Sequence, residues 1–255
     1  MSVILFRKQR DTEEELGYAE SHCHTVKYRT ECPPGSLVYG RYSVMPYYRE
    51  LDEELRIRGS RLINTYGQHK YIADFDYYYD VAEYTFESWF DLSMTRYNGP
   101  FIVKGQTNSR KHLWSTAMYA EDKRRAVEIA RDLRNDGLIG DQRPVFRKYE
   151  PLKTLEIGVN GVPFANEWRL FYLGTKRISQ GFYWSGVDDL DDPRIQLPGP
   201  ALELADLIAA IVSQKVNFFV LDIAAKADGR WVLVEVNDAQ MSGLSLTDPG
   251  LFYYN

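Results

Sequence analysis

Phe218-Phe219-Val220-Leu221-Asp222-Ile223-Ala224, then Asp228-Gly229, then Trp231-Val232-Leu233-Val234-Glu235-Val236-Asn237-Asp238 is the stretch whose reading decides the fold. Two apolar runs flank an Asp-Gly pair, the pair that a tight β-hairpin turn favours because its central residues need positive φ. With Asp228 and Gly229 as a two-residue loop, Asp222 falls directly opposite Glu235 on one face, and Asn237 lies two residues further along it. The opposite face carries Phe219, Leu221, Ile223, Val232, Val234 and Val236, an apolar stripe for the core, while Val220, Ala224 and Leu233 share the acidic face. The reading depends on register, because a three-residue loop shifts the pairing.

Carboxylates facing each other at a Cβ separation of about 5 Å repel unless a positive charge lies between them. Asp222, Glu235 and Asn237 offer only hard oxygen ligands, which suits Mg²⁺ or Mn²⁺ with water and phosphate oxygens completing the shell. The plainer alternative is a solvated hairpin face with an accidental acid pair. A metal site of this kind asks for a phosphate-bearing partner, and the charge distribution supplies contacts for one. The 255 residues carry 31 Lys and Arg against 36 Asp and Glu, a formal charge of -5. Between Lys104 and Lys148 the balance reverses, to 11 Lys and Arg against 6 Asp and Glu. The overall acidity argues against a nucleic-acid-coating protein. Lys104 at a strand end, then a polar loop, Arg110 and Lys111 are the candidate phosphate contacts. Arg169, set between apolar residues in Glu167-Trp168-Arg169-Leu170, emerges on a sheet face beside Glu167 as either a structural ion pair or an anion clamp.

Working outward, Val3–Phe6, Leu37–Tyr39 and Leu62-Ile63 read as short strands. Between them lie a helix opening at Thr12-Glu13-Glu14-Glu15 and one from Pro46 to Arg58. This is a small open α/β unit over residues 1–93, closed by an acidic aromatic stretch (74–93) without clear period. Phe101–Lys104 and His112–Tyr119 are then strands joined by Gly105–Ser109, followed by a helix from Glu121 to Asn135 and a strand from Val145 to Tyr149. Trp168–Leu173 pairs with Arg177–Trp184, and Pro200 opens an apolar helix to Val212. Cys23 and Cys32 are too few for a disulfide scaffold or structural zinc site, and read as thiols in a reducing cytoplasm. No cationic leader precedes a long apolar run, and no segment reaches the roughly 18 apolar residues of a membrane span. The expectation is a cytoplasmic protein with no membrane partner.

The order of these features, a Lys strand and polar loop, a helix, Arg147-Lys148-Tyr149-Glu150, a Glu-Trp-Arg strand, then Asp…Glu-Val-Asn, resembles the ATP-grasp superfamily over residues 94–255. It is most similar to small, divergent members found in phages and bacteria. The resemblance implies an α+β fold: two α+β lobes gripping a nucleotide (94–149 and 150–255), preceded by a small α/β pre-ATP-grasp domain (1–93). It implies that Asp222, Glu235 and Asn237 bind Mg²⁺ between the phosphates of ATP. Lys104 would contact the α- or β-phosphate, Lys148, Tyr149 and Glu150 would hold adenine and ribose at the hinge, and Arg169 would face the γ-phosphate or an acyl phosphate. Lys104 and Arg169 are then the catalytic side chains. The implied activity is an ATP- and Mg²⁺-dependent ligase that joins a carboxylate to an amine or other nucleophile on a small molecule, peptide or protein through an acyl phosphate. Phosphoryl or nucleotidyl transfer to a hydroxyl or nucleic-acid end, and a non-catalytic nucleotide-binding module, stay open. Two departures stand out. The loop Gly105–Ser109 lacks the family's multiple glycines, and the usual strand upstream carries no clear extra lysine, Arg96 being its nearest substitute.

Overall fold

The computed structural model describes residues 1–7, 12–137 and 139–255. Strand β1 (Ser2–Phe6), helix α1 (Glu13–His22), β2 (Thr25–Val26), β3 (Leu37–Arg41), helix α2 (Tyr48–Ile57) and β4 (Arg61–Leu62) build a parallel sheet ordered β2-β1-β3-β4. The run Val-Ile-Leu-Phe in β1 is continuously apolar because both faces are covered. Val3 and Leu5 pack with Tyr48, Leu51 and Leu55 of α2, while Ile4 and Phe6 pack towards Ala19 of α1, Phe218 and Phe252.

The aromatic stretch has a long-range purpose that no local period reveals. Preceded by helix α3 (Tyr66–Ala73), it contributes helix α4 (Tyr77–Val81), then strand β5 (Ser88–Trp89). Ile72, Phe75, Tyr77 and Val81 enter the core beneath the C-terminal sheet, with Leu170, Tyr172 and Ile208. β5 pairs with β8 (Val145–Lys148), so residues before 93 join the next sheet, ordered β5-β8-β6-β7. Its other members are β6 (Phe101–Lys104) and β7 (Tyr119–Ala120). Helix α5 (Lys123–Leu133) covers it with Ala126, Ile129 and Leu133, and is capped by Asp122, whose side chain accepts from the Arg125 amide at 2.8 Å. The expected strand from His112 to Tyr119 is not formed. Residues Lys111–Leu113 make a 3₁₀ turn and Trp114–Met118 a π turn, because Lys111, Trp114 and Met118 turn inwards to line a cleft instead of extending beside β6.

The C-terminal part holds a hairpin of β9 (Thr154–Ile157) and β10 (Pro163–Ala165), unforeseen from sequence. Its main sheet is antiparallel, ordered β12-β11-β13-β14, from β11 (Glu167–Leu173), β12 (Lys176–Phe182), β13 (Phe218–Ala225) and β14 (Trp231–Asp238). Helix α6 (Gly199–Val212) packs beneath it through Ala201, Ala205 and Ile208, and α7 (Pro249–Tyr254) returns to α1.

The β13–β14 hairpin corrects the sequence reading. Its loop has three residues, not two: the Lys226 amide donates to the Arg230 carbonyl at 2.7 Å, and Gly229 takes φ +86°. Ile223 therefore faces Leu233, and Ala224 faces Val232. A register shift just past them, at Val234, cancels the extra loop residue, so Asp222 still faces Glu235 and Val220 faces Asn237. Residues 232–234 exchange faces: Leu233 is buried in the core with Ile223 and Val236, whereas Val232 sits opposite Ala224 and Val234 lines the cleft. Among the described residues no helix is long and apolar enough to cross a membrane.

Candidate active site

The pairing of four strands sets one row of residues across the C-terminal sheet: Gly181 beside Arg169, Arg169 beside Asp222, Asp222 beside Glu235. Gly181 sits where a Cβ would clash with the Thr247 backbone, so only glycine lets that segment pass over the row. Arg169 grips Asp222 with two parallel hydrogen bonds, Nε to Oδ1 and Nη2 to Oδ2, each 2.9 Å. Its Nη1 donates to the Gly243 carbonyl at 2.8 Å. Lys104 reaches across from β6 and ion-pairs with Glu235. Asn237 Nδ2 donates to Asp222 Oδ2 and Glu235 Oε2, both at 3.2 Å. The three oxygen donors read from the sequence are thus brought together, and each carboxylate also holds a cation expected to bind phosphate, Arg169 on Asp222 and Lys104 on Glu235.

Charge is concentrated and dry here; Lys104 is 5% exposed, Asp222 1% and Glu167 2%. Burial by itself would raise the Glu235 carboxyl, but Lys104, Lys111 and Arg147 outweigh it and hold the group below the ordinary carboxylate range. Burial pulls the Lys104 ammonium down against the support of Glu235, with Arg147 adding repulsion. For Arg169 burial works downwards too, and Asp222 more than offsets it, so the guanidinium stays charged. Burial lifts Glu167 to about 7 against the pull of Lys111.

Beside the row lies a cleft between the two sheets. Ile102, Met118, Leu152 and Val234 give it apolar walls, and Lys148, Tyr149 and Glu150 form its hinge edge. Glu150 is fixed by Lys226 and lies 3.8 Å from Lys148 Nζ, while Tyr149 stands edge-on to Tyr119 with ring centroids 5.2 Å apart. Lys111 enters from the turn after the polar loop. Its Nζ donates to Tyr183 Oη at 2.9 Å, lies 3.9 Å from Glu167 and sits over the rings of Tyr183 and Trp184. Arg110 is not part of this arrangement: its guanidinium forks onto Asp136, with Nε to Oδ2 at 2.6 Å.

A family model of the ATP-grasp domain, family 3 of its clade, matches residues 91–254. The chain belongs to this ATP-grasp family. Among solved structures it is similar to a RimK domain protein ATP-grasp from Sphaerobacter thermophilus, with a TM-score of 0.60, 14% identity, and 99% of this chain and 97% of that one covered. It is similar to D-alanine–D-alanine ligase from Bacillus anthracis complexed with ATP, at a TM-score of 0.57 and 12% identity over 93% and 85% of the two chains. The ATP-grasp ligase PsnB, complexed with a phosphomimetic variant of minimal precursor, Mg and ADP, matches at 0.54 and 13% over 93% and 88%. At these identities the likeness is one of fold. A search of curated proteins finds no match to this chain.

Among the described residues of this ATP-grasp domain, no group of three His, Cys, Asp or Glu side chains is placed to hold a metal ion. A cation would rest on two carboxylates and the Asn237 amide, with its remaining ligands drawn from water and phosphate. That donor set fits Mg²⁺, which dehydrates reluctantly and favours oxygen. Sequence reasoning missed Arg147 as a cleft residue. Arg147 is buried, donates from Nη1 to the Val234 carbonyl at 2.6 Å, and has a buried Nη2 without a hydrogen-bond partner among the described residues, whereas Arg96 is exposed and does not line the cleft. The signal was present in Val145-Phe146-Arg147, where an arginine alternates with a buried valine on one strand face, the same logic that picked out Arg169.

Proposed function

We propose that the chain is an ATP- and Mg²⁺-dependent ligase that joins a carboxylate to an amine or other nucleophile through an acyl phosphate. The observation that carries this reading is the row Arg169–Asp222–Glu235 with Asn237 beside it and Lys104 reaching in from the opposite sheet. The D-alanine ligase and PsnB folds, described with ATP or with Mg and ADP, support it by analogy. Mg²⁺, held by Asp222, Glu235 and Asn237, would neutralise phosphate charge. Lys104 is aimed from β6 at the same place and would hold the α- or β-phosphate, leaving Arg169 for the γ-phosphate. Ile102, Leu152 and Val234 would sandwich the adenine, with the hinge Lys148–Glu150 along its edge, and Lys111 would add a further phosphate contact. In this scheme the substrate carboxylate oxygen attacks the γ-phosphorus and ADP leaves. The amine then attacks the acyl carbon, loses a proton, and phosphate leaves. The chain's own part is to position these groups and exclude water, since no side chain need act as nucleophile. Residues 1–93 would carry the substrate-side domain, with 94–149 and 150–255 as the nucleotide-gripping lobes.

Product analysis tests this. With ATP, Mg²⁺ and a pool of amino acids and peptides, the wild type should release ADP and phosphate with a new amide. Asp222→Asn should lose about 10²–10³-fold in rate. Release of AMP and pyrophosphate would overturn the ligase reading.

A further inference from the structure

The parallel sheet of residues 1–62 changes direction between β1 and β3: the chain runs from β1 through α1 to β2 on one side, then crosses to β3 on the other. In open α/β sheets the crevice outside the carboxyl ends of strands at such a switch point is where ligands settle. An open crevice of about 660 Å³ lies there, lined by Arg7 just past β1, Tyr42 and Ser43 just past β3, Tyr28 past β2, and Met45, Tyr47 and Glu50 leading into α2.

Three features of this crevice call for a ligand. Tyr28, Met45 and Tyr47 are each more than half exposed, an unusual gathering of large apolar side chains around one opening. Arg7 and Glu50 are exposed charges of opposite sign on its walls, and among the described residues neither has an ion-pair partner, whereas the third charge of the lining, Arg29, is paired with Glu54 at 2.8 Å; Arg7 lies over the Tyr42 ring, at 4.6 Å. The elements around the crevice are also fastened to the segment that follows β14. Tyr42 packs in one cluster with Met241, the Gly40 amide donates to Gln240 Oε1 at 3.1 Å, and Tyr48 Oη donates to Asp238 Oδ2 at 3.1 Å, all within a few residues of Asn237.

We infer that this crevice binds one of the two substrates, and that this substrate is a short peptide with free ends and apolar side chains. Arg7 takes its carboxylate, Glu50 its ammonium, and the Tyr28–Met45–Tyr47 rim its side chains. A lone anion would leave Glu50 repelling it, and a lone cation would do the same with Arg7; a zwitterion satisfies both. The volume of the crevice falls within the roughly 300–1,000 Å³ of ligand pockets, room for a dipeptide. The assignment of a substrate role rests on the ligase reading.

Calorimetric titration of the full chain separates the two. The dipeptide Tyr-Leu and its N-acetylated, C-amidated form are titrated into wild type, Arg7→Ala and Glu50→Gln, with Mg²⁺ and a non-hydrolysable ATP analogue titrated into the same samples. Both substituted residues are exposed, so the variants should keep the wild-type Tm. Tyr-Leu should bind the wild type, and either substitution or blocked ends should weaken it about tenfold or more, with nucleotide affinity unchanged. A chain that binds the nucleotide but not Tyr-Leu, or binds it equally in all variants, overturns the peptide site. Loss of nucleotide binding alone would sink the ligase reading while leaving the crevice result to stand by itself.

Discussion

Glu167 shows how one buried carboxyl ties the stability of the site to pH. It is 2% exposed, its Oε1 has no hydrogen-bond partner among the described residues, and Lys111 stands 3.9 Å away. Burial raises it from the ordinary 4.5 to about 7 in the folded chain. Between those values the folded state holds a proton that the unfolded state has released. Stability from this group is therefore full below about 4.5 and declines as pH rises towards 7, by on the order of 2–3 kcal/mol. Glu167→Gln should flatten that part of the profile. Urea midpoints at pH 5 and pH 7.5 check it, and an equal fall in wild type and variant would show that Glu167 is not the source. Glu235 behaves in the opposite sense, since Lys104, Lys111 and Arg147 keep it ionised despite burial. The same residues explain what could be read in advance. Arg169 and Lys104 stood out as charges among apolar strand residues, while Arg147 passed as part of a hinge although its alternation was the same.

At the scale of elements, the β13–β14 hairpin carries the lesson about legibility. Asp-Gly correctly marked the turn, and Asp222 does face Glu235, yet through a three-residue loop and a compensating irregularity at Val234. Both arrangements bring the acids together, so spacing alone does not distinguish them. They differ in which neighbour is core. Leu233→Ala should cost about 2–5 kcal/mol in denaturant unfolding, because Leu233 is wholly buried with Ile223 and Val236. Val234→Ala should cost less and instead weaken nucleotide binding, since Val234 lines the cleft. The reverse ranking would favour the regular two-residue hairpin. Elements whose burial depends on distant partners were not legible: α4 and β5 draw their order from Leu170, Tyr172 and β8, and the turn at 111–118 from Tyr183 and the cleft.

Across the whole molecule, the sheet holding Lys104 and the sheet holding Asp222 and Glu235 close on one cleft, and the segment after β14 fastens the N-terminal sheet to the same place. Asp238 receives hydrogen bonds from Tyr48 and Asn64, and Arg41 donates to the Ala239 carbonyl. Positive side chains from one sheet and carboxylates from the other meet where a nucleotide's phosphates and a cation would share the space. The net charge of -5 says nothing of this, because it sums charges that the fold gathers from strands far apart in the chain. The most direct test is calorimetric binding of a non-hydrolysable ATP analogue with and without Mg²⁺, comparing wild type with Asp222→Asn. The expected result is Mg²⁺-dependent binding to the wild type, weakened about tenfold or more by omission of the metal or by the substitution. No binding to the folded wild type, or binding indifferent to both Mg²⁺ and Asp222, would contradict the account.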